Sequence, residues 1–261
     1  MDFQYTEPLE KYALVGGGLE ADIYHVTSTV VVKAIRTNKN PPATAQCYDF
    51  CKEVEFYKRL NSRQDRCQEI IECFLVLPDH IFLSYCTHKA MSSRFFDRQE
   101  RVEAKDNLRG RVVKLNEYED PALIARWIQQ LASALEFIEK MGFCHNDLHA
   151  SNCLLDSDFN LKLTDFGRAI TIGQLLEGIF PPRALPIFDG PLQGSRGLCS
   201  ARTEQFALGT LLYLMVYGHE PYEDLELSIE EWDRFGKELE FPKLNRNEVF
   251  DGLISACWYN V

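Results

Sequence analysis

Several features are scarce in this 261-residue chain, and each scarcity narrows its reading. No apolar run reaches the roughly 18 residues a membrane span needs, so no membrane partner is expected. The opening Met1-Asp2-Phe3-Gln4 lacks the basic-then-apolar order of a secretory leader, which predicts a cytoplasmic or nuclear location. The nine cysteines are odd in number and none stand in CxxC spacing, which argues against a disulfide framework or a structural zinc. They read as free, mostly buried thiols in a reducing compartment. Bases are outnumbered, 28 Lys and Arg against 39 Asp and Glu, for a net charge of −11. Residues 220–251 carry eleven acids and four bases of that total. Nucleic acid needs a positive field, so no nucleic-acid partner is expected. The acidic stretch reads as a solvated face, with attraction for a basic protein partner as the sharper alternative.

What is present is ordinary globular material, 46% hydrophobic and 26% charged, with ample length for a core. Tyr12-Ala13-Leu14-Val15 leads into Gly16-Gly17-Gly18. Ile23-Tyr24-His25-Val26, the turn Thr27-Ser28-Thr29 and Val30-Val31-Val32-Lys33-Ala34-Ile35 then predict a hairpin, and Pro41-Pro42 closes the region. Cys47, Phe50, Val54, Tyr57 and Leu60 recur at helical spacing and predict a helix over 46–60. Residues 70–77 and 80–85 read as strands around Pro78-Asp79. Residues 97–119 are polar and predict a surface loop. Asp120-Pro121 is a helix start, followed by the apolar stripe Ile124, Trp127, Ile128, Leu131, Leu135 and Ile138 up to Gly142. A small hairpin follows at 153–163, a Gly- and Pro-rich stretch at 171–200, and a buried helix at 203–217. There is no internal repeat. The order is strands first and helices later, with a junction near 84–88 where a ligand would sit between two lobes.

Three oxygen-bearing side chains carry the chemistry. Asp147 and Asn152 lie five apart in His145-Asn146-Asp147-Leu148-His149-Ala150-Ser151-Asn152, and Asp165 follows Asp147 by eighteen residues, leading Asp165-Phe166-Gly167. Any one of them alone is most simply a turn or cap residue. Together they suit a carboxylate that orients a hydroxyl and hard oxygens that hold a divalent metal ion.

These two stretches resemble the catalytic loop and the metal-binding motif of the eukaryotic protein kinase family. Val31-Val32-Lys33 resembles the strand bearing its phosphate-binding lysine. Glu53 fits the ionic partner of Lys33, since Phe56, Tyr57 and Leu60 follow it on one helix face; Glu55 is the runner-up. The resemblance extends over nearly the whole chain. It implies an α+β, two-lobed fold: a β-rich, nucleotide-binding N-lobe over 1–86 and a helical, catalytic C-lobe over 87–261 with a shortened end. It implies ATP and Mg2+ as cofactors and a protein substrate, and leaves the oligomeric state undetermined. Asp147 would orient the acceptor, and Asn152 and Asp165 would hold metal. Gly16 and Gly18 would cover the phosphates, Ile23 the base, and Leu83 and Cys86 would lie at the adenine-binding junction Leu83-Ser84-Tyr85-Cys86.

The chain also departs from that family's pattern. Asn146 replaces the arginine that receives a phosphorylated activation loop, so the resemblance implies no control of that kind. His149 stands where protein serine/threonine kinases carry a lysine, and is similar to the loop of enzymes that phosphorylate small alcohols. Ala21 stands at the third glycine position, and Glu20 and Asp22 predict weakened phosphate affinity in the glycine turn. No Ala-Pro-Glu closes the activation segment. Its usual arginine partner is absent too, which avoids a buried unpaired charge. Glu204 takes the place of the aspartate that anchors the catalytic loop. The short hairpin and the Phe206-Ala207-Leu208-Gly209 helix resemble small kinases of filamentous fungi. The reading is a Ser/Thr protein kinase, with a pseudokinase binding module and a small-molecule kinase as rivals.

Overall fold

Alternating apolar residues and tight turns in the first third build a five-stranded antiparallel sheet, in the order β1-β2-β3-β5-β4. The strands are β1 (Ala13–Gly17), β2 (Ala21–Thr27), β3 (Val30–Ile35), β4 (Cys73–Val76) and β5 (His80–Ser84). The structure is a computed structural model, and it describes residues 9–18, 20–36, 48–102, 110–176, 183–184, 187, 189–226, 231, 234 and 240–259. Pro41, Pro42 and Cys47 lie outside the described residues.

Register decides which side chains share a face of this sheet. Gly16 pairs with Ile23, Ile23 with Lys33, and Lys33 with Ile81. One step along, His25 pairs with Val31 and Val31 with Leu83. Residues two apart on a strand point the same way, so Ile23, Lys33, Val31 and Leu83 line one face.

Helix α1 (Tyr48–Asn61) packs beside the sheet, burying Phe50, Val54, Phe56, Tyr57 and Leu60. Helix α2 (Met91–Phe96) follows the junction and buries Met91 and Phe95. Part of the polar stretch predicted as loop is instead a hairpin of β6 (Gln99–Arg101) and β7 (Val112–Leu115). Its Arg101 reaches Glu223 at 2.6 Å, so its order comes from contacts far along the chain and not from apolar alternation.

Helix α3 (Pro121–Lys140) starts as predicted, with the Asp120 carboxylate accepting the Ala122 N–H at 2.9 Å. Its Ile124, Trp127, Leu131, Ala134 and Ile138 are buried. Trp127 Nε1 donates to the Phe159 carbonyl at 2.7 Å, and Gln130 Oε1 accepts the Leu161 N–H at 2.9 Å. These bonds seat the hairpin of β9 (Cys153–Leu155) and β10 (Leu161–Leu163), whose turn is closed by the Asp156 carboxylate accepting the Asp158 and Asn160 N–H groups. Strands β8 (Phe143–Cys144) and β11 (Ile170–Thr171) pair across the catalytic loop.

Helix α4 (Ala201–Tyr217) lies at the centre of the helical part and ends at Gly218, whose φ of +81° suits glycine. Helix α5 (Glu248–Tyr259) packs on it through Ile254 and Trp258. Among the described residues, no helix is long and apolar enough to cross a membrane. The prediction of nine free thiols is corrected at one pair: Cys144 and Cys199 form a disulfide, whereas Cys51, Cys67, Cys73, Cys86, Cys153 and Cys257 are free. Neither partner has a second cysteine nearby in sequence, so spacing carried no trace of the pairing.

Candidate active site

Lys33 projects from the middle of β3, between two carboxylates. Its Nζ lies 2.6 Å from Glu53 Oε2 and 2.9 Å from Asp165 Oδ1. Glu53 is 1% exposed on the inner face of α1, while Glu55 points outward and pairs with Arg59. Burial opposes the charge of Lys33, but Glu53 and Asp165 outweigh it and raise its pKa. Burial pushes Glu53 up to about 7 against the pull of Lys33. Asp165 is held below the usual carboxylate range; burial pushes it upward, and the Lys33 cation outweighs that push.

Asp165 occupies the left-handed backbone region, with φ of +65°, and opens a 3-10 turn over Phe166–Arg168. What holds this turn is Phe166, fully buried, with its ring stacked 4.1 Å from Phe56. Tyr57 and His145 meet the same ring edge-on at 5.5 and 5.0 Å. The helix that carries Glu53 and the turn that carries Asp165 therefore share one aromatic cluster.

The catalytic-loop residues are held by backbone bonds to a buried acid. Glu204 on α4 accepts the His145 N–H at 2.9 Å and the Asn146 N–H at 3.1 Å. Burial raises its pKa to about 7 despite those two bonds. Asn146 also sits in the left-handed region, at φ of +59°, and donates to the Arg168 carbonyl at 3.1 Å. Asparagine tolerates that conformation better than most residues. His145 is buried beside Phe166, its Nε2 2.9 Å from the Thr164 carbonyl, and burial lowers its pKa.

Asp147 and Asn152 are in direct contact. Asn152 Nδ2 donates to the Asp147 carbonyl at 2.8 Å and to its Oδ2 at 3.3 Å. Ser151 donates its N–H to His149 Nδ1 at 3.2 Å, so the ring proton resides on Nε2. That nitrogen faces Asp147 Oδ2 at 3.5 Å. Burial pushes the Asp147 carboxyl up, and His149, His145 and Arg168 together pull it below its ordinary value. Asp147 in turn exerts an upward push on Asp165. Lys33, Glu53, Asp147, Asn152 and Asp165 thus form one charged constellation.

The glycine turn differs from its prediction in two ways. Glu20 and Asp22 are engaged away from the space the turn covers. Glu20 Oε2 accepts the Phe50 N–H at 2.8 Å, in the first turn of α1, where a negative charge is favoured. Asp22 is paired with Arg36, the residue directly after β3. Both acids therefore have structural partners. Secondly, Gly18 donates its own N–H to the Ala21 carbonyl at 2.9 Å. It is Gly17 that is crowded: a Cβ would stand 3.0 Å from Asp22 Oδ1 and 3.3 Å from the Ala21 carbonyl, so a side chain there needs its neighbours to give way. No local signal separates Gly17 from its neighbours, because the crowding comes from the opposite strand.

Leu83 is buried on the Lys33 face of the sheet. Cys86 is buried, and burial raises its thiol pKa to about 12. Its carbonyl accepts the Lys89 N–H at 3.2 Å, and it also lines a separate cavity of about 530 Å³ with Cys67, Cys73 and Tyr85.

The donor set has the chemistry of a magnesium site. Asp165 and Asn152 offer hard oxygens, and Asp165 is 46% exposed. Among the described residues, no group of three or more His, Cys, Asp or Glu side chains is placed to hold a metal ion.

Comparison with known proteins agrees with this geometry. Human tyrosine-protein kinase ABL2 is 26% identical over 270 residues, covering 98% of this chain and 20% of that protein. The CBL-interacting serine/threonine-protein kinase 7 of Arabidopsis thaliana is 32% identical over 105 residues, 40% of this chain and 24% of its own length. The mouse testis-specific serine/threonine-protein kinase 1 is 28% identical over 167 residues, 49% of this chain and 42% of its own. The chain thus spans less than half the length of these relatives. The sequence profile of the protein tyrosine and serine/threonine kinases matches residues 13–260, nearly end to end, and the chain belongs to that family.

Proposed function

We propose that this protein kinase domain transfers the γ-phosphoryl group of magnesium ATP to a serine or threonine hydroxyl of a protein. The observation that carries the reading is Lys33 Nζ held between Glu53 and Asp165, at 2.6 and 2.9 Å. A partly buried cation fixed by two carboxylates, on a strand two places from the glycine-bearing β1, is arranged to receive phosphate oxygens.

When bound, magnesium ATP supplies the transferable phosphoryl group. Lys33 binds its α- and β-phosphates, and Glu53 keeps Lys33 aimed. Gly16 and Gly18 cover the phosphates, Ile23 packs on the base, and Leu83 and Cys86 line the adenine side. Asn152 and Asp165 hold the metal. Asp147, ionised at neutral pH, orients the acceptor hydroxyl and takes its proton; His149 Nε2 steadies the carboxylate from the other side. Residues up to 86 supply the nucleotide side, and residues from 87 onward supply the acceptor side. The relatives divide on the acceptor: two are serine/threonine kinases matched over 40% and 49% of the chain, and one is a tyrosine kinase matched over 98%; the serine and threonine preference is the reading's own.

The test is a magnesium ATP phosphotransfer assay on wild type, Asp147→Ala and Asp165→Ala, followed by phosphoamino-acid analysis of the product. Loss of the acceptor-orienting group lowers the rate by about 10²–10⁴. Equal signal from all three proteins overturns the reading, and phosphotyrosine alone overturns the serine and threonine assignment.

A further inference from the structure

Apart from the charged constellation, one covalent feature touches the catalytic loop. Cys144 immediately precedes His145, and Cys199 immediately precedes Ser200, the residue before α4. Their bond joins residues 55 apart. The enclosed stretch contains Asp147, Asn152, Asp165 and the whole segment leading to α4. Both cysteines are nearly inaccessible, at 2% and 1% exposure, in a small cluster with Leu176 that is separate from the main core.

The surrounding bonds show what the disulfide reinforces. Cys199 donates its N–H to the Gln174 carbonyl at 2.7 Å and accepts the Gly173 N–H at 2.8 Å. Leu176 donates to the Gly197 carbonyl at 2.9 Å. Cys144 pairs with Ile170 between β8 and β11. Residues 170–176 are thus sandwiched between the strand entering the catalytic loop and the stretch entering α4. A cavity of about 150 Å³ lies between α3 and α4, lined by Leu135, Glu136, Glu139, Cys144, Glu204 and Leu208. Both cysteines are nearly inaccessible in the closed structure, so exchange with a small thiol or disulfide follows local opening of this segment.

We propose that Cys144 and Cys199 form a reversible redox tether, which controls how firmly residues 170–176 and 197–199 are held against the catalytic loop. Closure uses a low-molecular-weight disulfide such as oxidised glutathione. One protein thiolate attacks it and releases one small thiol; the second protein thiolate attacks the mixed disulfide and releases the other. Two protein S–H bonds are lost and one S–S bond forms. The protein sulfurs give up two electrons, and the small disulfide takes them and the two protons. Two equivalents of small thiol reverse the step. When the bond is open, the hydrogen bonds, the small apolar cluster and the Arg183–Glu220 ion pair remain among the described residues, and segments with few buried contacts open most readily.

The experiment needs no kinase activity. The native chain is alkylated without reductant, digested and mapped by mass spectrometry, before and after dithiothreitol and again after oxidised glutathione. The expected result is a Cys144–Cys199 cross-linked peptide that disappears on reduction and returns on oxidation. Amide hydrogen exchange at 172–176 and 197–199 speeds up severalfold in the reduced chain, while α3 is unchanged. Cys199→Ser and Cys199→Ala exchange like reduced wild type and do not respond to dithiothreitol. Should either variant fail to fold, the reduced and oxidised wild-type chains still make the comparison. Both thiols alkylated even after oxidised glutathione, or identical exchange with the bond open and closed, overturns the proposal.

Discussion

The ring of Phe166 stacks on that of Phe56 at 4.1 Å and 9° between planes. Phe56 lies three residues after Glu53, and Phe166 directly follows Asp165, so one aromatic contact sets the distance between the two carboxylates that hold Lys33. Truncating Phe56 to Ala removes a fully buried ring and is expected to cost about 3–5 kcal/mol of stability. Weaker ATP binding accompanies it. Urea unfolding and ATP titration on Phe56→Ala check both.

Glu53 and Glu55 are neighbours with opposite fates. Glu53→Gln leaves the partly buried Lys33 with one carboxylate in place of two. Removing one partner of a buried ion pair costs about 3–5 kcal/mol, and the remaining Asp165 keeps the loss at the lower end. Glu55→Gln removes only an exposed pair with Arg59 and changes stability by about 0.5 kcal/mol or less. Paired denaturation curves test the contrast, and an equal loss from both variants would contradict it.

Stability carries a pH signature from Glu204 and Glu53. Both carboxyls bind a proton more tightly in the folded chain, with pKa values near about 7 against the ordinary 4.5. Their contribution is complete below pH 4.5 and is lost as pH rises through about 7. Asp147 and Asp165 are shifted downward, and they act below their ordinary 3.8, outside this window. In unfolding midpoints measured between pH 4.5 and 8, this fall runs against an opposing rise from His145, whose pKa burial lowers from the ordinary 6.5. Glu204→Gln, which keeps an acceptor oxygen but cannot ionise, flattens part of that slope.

Glycines on the two packed helices respond in opposite directions. At Gly209 of α4 a Cβ would stand 2.5 Å from the Cys257 Cβ and 3.2 Å from Trp258 on α5. Gly209→Ala forces the helices apart and destabilises by about 1–3 kcal/mol. At Gly252 of α5 a Cβ meets nothing within 4 Å, so Gly252→Ala stabilises by about 0.5–1 kcal/mol through helix propensity. Thermal melts of the two variants shift in opposite senses.

Elements legible in the sequence were those whose cause is local. The β2–β3 hairpin follows from β-branched runs around a polar turn, α3 from Asp120-Pro121 and its apolar stripe, and the β9–β10 hairpin from Asp156 and its turn. Helix α1 was read as 46–60 and is described from Tyr48 to Asn61. Helix α2 spans six residues, too few for a periodic stripe, and the β6–β7 pair depends on Arg101 meeting Glu223. The activation segment lacks an Ala-Pro-Glu closure; instead, its Arg183 reaches Glu220 at 2.6 Å, a pair that sequence spacing does not reveal.

The chemistry of the site was written in residue types and spacing: Asp147, Asn152 and Asp165 offer hard oxygens, and Lys33 a cation in a strand. Short-range order suffices for that, because motif residues lie within a few positions of one another. Which carboxylate meets Lys33, where Glu20 and Asp22 spend their charge, why Gly17 is crowded, and which two of nine cysteines join were decided only by the tertiary structure. Each depends on groups that are distant in the chain being pressed together by burial. There, desolvation and close packing, and not local propensity, determine the partner.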